Sequence, residues 1–169
     1  IAEVIRSRTD KNFRVYSDEI YEQILFDGNV HRSITGQPGM RERTIIVSGH
    51  SKTYAMTGWR LGYAVLPTVE EATAFKQLNI NIFSCTPPFI QEAGVEAMRN
   101  PLNPAIIAEM NRQFQMRRDM VVDALNAIDG ISCARPGGAF YVFPNIAGVC
   151  EKLGILSAYE SLPAEKRQK

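Results

Sequence analysis

Along this chain apolar side chains recur at helical spacing in some stretches and gather in short β-rich runs in others, and the switches between the two mark its elements. Residues 1–8 place Ile1, Val4 and Ile5 on one face and Glu3, Arg6 and Arg8 on the other, which predicts the tail of an amphipathic helix. Thr9-Asp10-Lys11-Asn12 breaks it. Phe13-Arg14-Val15-Tyr16 and Thr44-Ile45-Ile46-Val47 predict strands, and residues 59–66 predict a third, stopped by Pro67. Between the first two, Asp27-Gly28-Asn29 and Thr35-Gly36-Gln37-Pro38-Gly39 are turn signals, with His31 between them as a surface residue.

Helical spacing returns after Thr68 in Val69, Ala72, Phe75 and Leu78, with Glu70 and Glu71 in the first turn, where the helix dipole favours acids. This helix fades in Asn79-Ile80-Asn81-Ile82. Ser84-Cys85-Thr86-Pro87-Pro88 is a break, residues 89–99 predict another helix, and Asn100-Pro101-Leu102-Asn103-Pro104 stops it. A long helix over 105–128 follows. Its apolar stripe is Ile107, Met110, Phe114, Val121, Leu125 and Ile128, with Arg112, Arg117, Arg118 and Asp119 as a solvated face. Asp129-Gly130 ends the helix, and residues 131–134 and 139–143 predict two strands joined around Arg135-Pro136-Gly137-Gly138. Short helices near 148–153 and 156–161 precede a charged tail.

Composition narrows the classes. The 169 residues suffice for one domain with a core, and 45% hydrophobic with 22% charged residues are the proportions of a soluble globular protein. Nineteen basic and 18 acidic side chains leave a formal charge of +1, which gives no reason to expect nucleic acid as a partner. Cys85, Cys133 and Cys150 are odd in number, widely spaced and without a CxxC pair. That argues against disulfides or a zinc site, fits a reducing cytoplasm, and predicts three small buried apolar residues. No apolar run approaches membrane-spanning length and no signal peptide opens the chain.

Two stretches carry candidate chemistry. After the run 44–47 the chain turns small and hydroxylated, in Ser48-Gly49-His50-Ser51, and then delivers Lys52 and, eight positions later, Arg60. A lysine amine becomes nucleophilic when partly desolvated or set near another cation, because both disfavour its charged form. Arg60 offers that cation, or a planar fork for a phosphate; the plain alternative is two solvated surface charges. Ser48 and Ser51 are candidate phosphate donors, and His50 is a candidate acid/base group. In the second stretch, Asp18 follows the first strand. It is either a cap for the next element or a site residue, because ligands of open α/β sheets bind outside strand ends. Tyr21 either packs with its hydroxyl wet or faces a ligand.

Ser51-Lys52-Thr53-Tyr54-Ala55-Met56-Thr57-Gly58-Trp59-Arg60-Leu61-Gly62-Tyr63 resembles, at nearly every position, the lysine signature of the class I and II aminotransferases, which are fold-type I pyridoxal 5'-phosphate (PLP) enzymes. Ser17-Asp18-Glu19-Ile20-Tyr21-Glu22 resembles their second motif. The resemblance implies that Lys52 forms the internal aldimine with PLP and that Asp18 pairs with the pyridine nitrogen, keeping the ring protonated and electron-poor. It further implies that Tyr21 bonds the cofactor's phenolic oxygen and that Arg60 holds the phosphate. Many relatives carry a serine three residues before the lysine, where this chain has Gly49, so Ser48 and Ser51 both stay open for that contact. The lysine itself is the expected proton carrier, which leaves His50 unnecessary as a second base.

The fold so implied is the α/β PLP-dependent transferase (aspartate aminotransferase-like) fold. Residues 1–104 would be the C-terminal half of the large, mainly parallel-sheet domain, and 105–169 the connecting helix and first part of the small α+β domain. The relatives are longer at both ends. Absent here are their upstream phosphate-cradling helix start, the asparagine on the cofactor ring oxygen, and the downstream arginine that grips the substrate's α-carboxylate, so this stretch alone is expected to be inactive. Cys85-Thr86-Pro87-Pro88 is either a plain interhelical turn or, as in the family, a segment near the other subunit's site in a homodimer. The implied reaction moves an amino group between an amino acid and a 2-oxo acid, without a metal. Alternatives on the same fold are a PLP-dependent β-lyase, a cyclopropane-forming synthase, or the ligand-sensing domain of a transcription regulator. Before Cys85 stand Asn79 and Asn81, and no arginine suited to a dicarboxylic substrate.

Overall fold

The computed structural model describes residues 1–10 and 12–167. Lys11, in the expected break after the first helix, and the last two residues of the charged tail lie outside that set. The chain is α/β. A three-stranded sheet in the order β1-β2-β3 is built from β1 (Val15–Asp18), β2 (Thr44–Gly49) and β3 (Gly62–Val65). β1 runs parallel to β2, with Val15 opposite Thr44 and Asp18 opposite Val47. β3 runs antiparallel to β2, with Gly49 opposite Gly62. Among the described residues six α-helices accompany the sheet: α1 (Ala2–Arg8), α2 (Val69–Phe83), α3 (Pro88–Arg99), α4 (Asn103–Asn126), α5 (Ala147–Lys152) and α6 (Ile155–Glu160).

Several boundaries differ from the sequence reading for local reasons. β1 begins two residues later than expected because Asp10 draws the chain ahead of it: the Asn12 amide donates to Asp10 Oδ1 at 2.7 Å and the Phe13 amide to Asp10 O at 3.1 Å. β3 starts at Gly62 rather than residue 59. The intervening Thr57–Trp59 forms a 3-10 turn closed by Arg60 in the left-handed region, φ 53° and ψ 42°. α2 does not fade at Asn79. Asn81 bonds back along the helix, its Nδ2 to Gln77 O at 2.9 Å, so a residue of weak helix propensity is held in place and the helix runs on to Phe83. Thr68 caps its start by accepting from the Glu71 amide.

The expected strands at 131–134 and 139–143 do not form a hairpin. Their backbone groups are used elsewhere: the Phe26 amide donates to Gly137 O and the Ala139 amide to Ile24 O, both at 2.9 Å. Ala139 has φ 58°, which interrupts an extended run, and Ser132 pairs instead with Asn145, beyond the second expected strand.

α4 departs most from expectation. The solvated face assigned to Arg118 is wrong, because its side chain is 4% exposed, whereas Val121 and Ile128 of the expected stripe face solvent. The anchoring face runs through Asn111, Gln115, Arg118, Val122 and Asn126, spaced by three and four residues on one side of the helix. Four of the five dock by hydrogen bonds rather than by apolar contact. Asn111 donates to Gln23 O at 2.6 Å, Gln115 accepts from the Asp27 amide at 3.3 Å, and Asn126 exchanges bonds with Cys133 at 2.8 and 3.0 Å. Arg118 grips Asp27 with two bonds of 2.5 and 3.0 Å, donates to Pro136 O at 2.8 Å, and lies 4.9 Å from the Phe26 ring centre. Ile24, Phe26, Met40, Ile45, Met56, Val122 and Cys133 form the buried apolar core. Of the three cysteines expected inside, only Cys133 is buried. Cys85, in the turn between α2 and α3, is exposed, and Cys150 is half-buried on the short α5.

The Arg118 hydrogen bond holds the Asp27 carboxyl below its ordinary value, against an opposing effect of burial. The folded state therefore takes up this proton less readily than the unfolded chain. The stabilisation is complete above the unfolded value near pH ~4 and is lost as pH falls through the lower folded value. In the complete protein, Asp27→Asn should lower the urea midpoint at neutral pH, and its deficit relative to the parent should close in acid. A deficit unchanged by acid would contradict the ion pair.

Candidate active site

The sheet brings the two candidate stretches to one end. Asp18 is the last residue of β1 and lies opposite Val47, and the ladder extends one step further as the Glu19 amide donates to Val47 O at 2.8 Å. β2 ends two residues later at Gly49 and feeds the lysine turn. His50 closes this turn at both ends. Its amide donates to Leu61 O at 3.1 Å and its carbonyl accepts from Tyr54 and Met56, each at 3.3 Å. Lys52 sits half-buried at the top of the turn.

Glu19, beside Asp18, is buried and tethers the loop that carries Tyr21. Its carboxylate accepts from Ser33 Oγ at 2.6 Å and Ser17 Oγ at 3.0 Å and meets His31 Nε2 at 2.8 Å. Burial alone would raise its pKa, but the hydrogen bonds from Ser33, His31 and Ser17 outweigh it and keep the carboxyl below its ordinary value. His31 is thus a partly exposed partner of a buried acid rather than a bare surface residue. Asp18 itself faces solvent and accepts from the Ile20 amide at 3.2 Å.

Lys52 and Tyr21 meet. The Lys52 Nζ lies 5.7 Å from the centre of the Tyr21 ring and 5.1 Å from that of Phe140, and no hydrogen bond or ion pair holds it among the described residues. Tyr21 packs edge-on against Phe140 and Tyr141 at centroid distances of 5.1 and 5.7 Å, and its hydroxyl donates to that of Tyr141 at 2.9 Å. Burial first, then the Tyr141 hydrogen bond and the nearby Tyr141 and Asp18 charges, push the Tyr21 phenol up to about 12. Asp18 and Lys52 thus share Tyr21 as a neighbour. Phe140 and Tyr141 were missed as site residues because a Phe-Tyr pair in a β-rich run carries no local sign of which loop it will face.

Ser48 and Ser51 precede Lys52 along the chain, and Arg60 ends the 3-10 turn that follows it. The Arg60 guanidinium is exposed and donates only to Thr57 O, at 2.8 Å, which leaves most of its fork free. Ser48 is buried in β2 opposite Tyr63, and Ser51 is half-buried in the turn. His50 is 5% exposed, and both of its ring nitrogens lack a partner. Its ring lies 5.3 Å from that of Tyr54 and 6.4 Å from that of Tyr63, and it meets α3 at Gly94, where a methyl group would come within 3.1 Å of Nε2. A free amine, an open carboxylate and a largely free guanidinium around one turn suit a ligand with an aldehyde, a basic ring nitrogen and a phosphate, so the donor set fits PLP.

Comparison with known proteins identifies the family. The family described as "Aminotransferase class I and II" matches residues 1–160. The chain is 44% identical over 137 residues to an aspartate aminotransferase of Musicola paradisiaca, covering 80% of this chain and 33% of that protein. It is 38% identical over 148 residues to aromatic-amino-acid aminotransferase 2 of Thermococcus litoralis, covering 86% and 37%. The crystal structure of the aspartate aminotransferase from Rhizobium meliloti superposes with a TM-score of 0.74 at 41% identity, covering 80% of this chain and 34% of that one. The chain belongs to the class I and II aminotransferase family and carries part of its fold-type I α/β architecture. It spans about a third of the length of the curated relatives it matches.

Gly49, where many relatives were expected to carry a serine, is a place of close approach. A Cβ there would come within 2.8 Å of Leu61 O and 2.9 Å of Gly62 Cα, both backbone atoms that cannot rotate away. Gly49→Ala in the complete protein should therefore cost about 1–3 kcal/mol as β2 and β3 are forced apart beside the lysine turn. A urea midpoint unchanged from the parent would contradict the close approach.

Proposed function

We propose that the protein is a PLP-dependent aminotransferase that moves an amino group between an amino acid and a 2-oxo acid. The observation that carries this reading is the unpaired Lys52 amine over the Tyr21 and Phe140 rings, at the same sheet end as Asp18, in a chain of this family. When bound, PLP supplies an aldehyde that takes up an amine and a protonated ring that draws electrons from the substrate's α carbon. Lys52 would be the amine that holds the aldehyde, and its Nζ, when not so engaged, would take up and return the substrate's α proton. The Asp18 carboxylate would pair with the ring nitrogen and favour its protonated form. The Tyr21 hydroxyl serves the ring's phenolic oxygen. Arg60, with Ser51 or Ser48, holds the phosphate so that the reacting carbon stays aligned.

In this reading residues 1–104 belong to the cofactor domain and 105–169 to a second unit introduced by α4. Amino acids and 2-oxo acids are the substrates, and the assembly is a cytoplasmic homodimer. Support for further packing comes from α2, which buries no residue, and from Phe83 and Phe89, both largely exposed. No helix among the described residues is long and apolar enough to cross a membrane.

The complete protein, given PLP, an amino acid and 2-oxoglutarate, should form glutamate, which a β-lyase or synthase would not do. Lys52→Ala should abolish the bound-cofactor absorbance and lower the rate by more than about a thousandfold, since both the covalent hold and the proton carrier are lost. Glutamate formation at the parental rate in that variant would overturn the assignment.

A further inference from the structure

The proposed roles leave Tyr141 unused, although it is the hydrogen-bond partner of the tyrosine that faces the cofactor. Its position is set from two sides. The backbone bonds of Gly137 and Ala139 to Phe26 and Ile24 fasten its segment beside the loop that carries Tyr21, and Arg118 fastens Pro136 to Asp27. Immediately before the aromatic pair, Ala139 adopts φ 58°, a left-handed conformation that a residue with a side chain disfavours. Such a residue persists where its surroundings over-determine it, and here it re-aims the chain so that Phe140 and Tyr141 both contact the Tyr21 ring.

We propose that Tyr141 is a positioning residue for the reaction, fixing and polarising the Tyr21 hydroxyl through the phenol–phenol hydrogen bond. This rests on the reading of Tyr21 as the partner of the PLP phenolic oxygen. Without a ligand, Tyr21 donates its proton to the Tyr141 oxygen at 2.9 Å. A hydroxyl has a single proton to give. When Tyr21 turns that proton towards an acceptor on the cofactor ring, Tyr141 reverses and donates its own proton to the Tyr21 oxygen. Chained hydrogen bonds polarise one another, so Tyr21 becomes a stronger donor to the ring. Because Tyr141 lies beyond α4, this chain also makes the placement of the second unit felt at the cofactor.

The test uses the complete protein and Tyr141→Phe, which removes one hydroxyl and keeps the ring that packs on Tyr21. Two readouts separate the inference from the reading beneath it. First, with fluorotyrosine incorporated and no cofactor bound, the Tyr21 resonance, identified by its loss in Tyr21→Phe, is followed through alkaline pH. Removing the acceptor should let Tyr21 ionise about one pH unit lower. Second, with PLP bound, the pH at which the cofactor absorbance changes should move in Tyr141→Phe relative to the parent. A Phe114→Leu variant, which perturbs the packing of Phe140 without removing a hydroxyl, should leave that midpoint nearer the parent's. If the Tyr21 resonance titrates as in the parent, or if the cofactor midpoint stays put while the parent binds PLP normally, the inference is overturned and the aminotransferase reading stands. If the parent takes up no PLP at Lys52, both fall.

Discussion

The hydrogen-bond ladder of β2 is the constraint from which the candidate site hangs. Parallel pairing with β1 puts Asp18 beside Val47, and antiparallel pairing with β3 puts Gly49 against Gly62, so the acid and the lysine turn emerge at the same edge of one small sheet. Side chains that are distant in sequence then share a neighbour, Tyr21, without either having to reach. The backbone of His50 continues the ladder's work past the last strand residue. By bonding Leu61, Tyr54 and Met56 together, it fixes the turn on which the Lys52 amine is carried. A lysine held on a tight backbone turn has fewer ways to stray than one on a free loop, and that is what a reacting group requires.

The second half of the chain is placed by polar anchors rather than by an apolar stripe. Arg118 reaches Asp27 and Pro136, Asn111 reaches Gln23, and Asn126 reaches Cys133. Each such bond adds modest net stability, but each has a direction, and directional contacts fix orientation more sharply than oily ones. The consequence is functional. Once α4 and the loop after it are locked to the Ile24–Phe26 backbone, Phe140 and Tyr141 have one place to go, against Tyr21 and beneath the Lys52 amine.

Lys52, Arg60, Asp18 and Tyr21 were legible as candidates because their neighbours form two long stretches of specific residue types, and the helices were legible because apolar side chains repeat with the turn of the helix. The ends of elements were less so. Asn12, Asn81 and Asn126 each redirect backbone bonds through a side chain, and a spacing pattern is blind to that. Arg118 was read wrongly for a related reason: a charged residue off an apolar stripe looks solvated until a partner carboxylate arrives from 91 residues away.

By itself, then, the sequence determined the family and the α/β character and singled out candidate residues for binding or reaction, since these depend on local residue types and short spacings. Tertiary structure alone decided which of them meet. Tyr21 gained Phe140 and Tyr141, and the expected hairpin gave way to pairing with Ile24 and Phe26. Contacts between segments so far apart are set by backbone ladders and directional anchors closing over the whole chain, and no short window of residues contains that information.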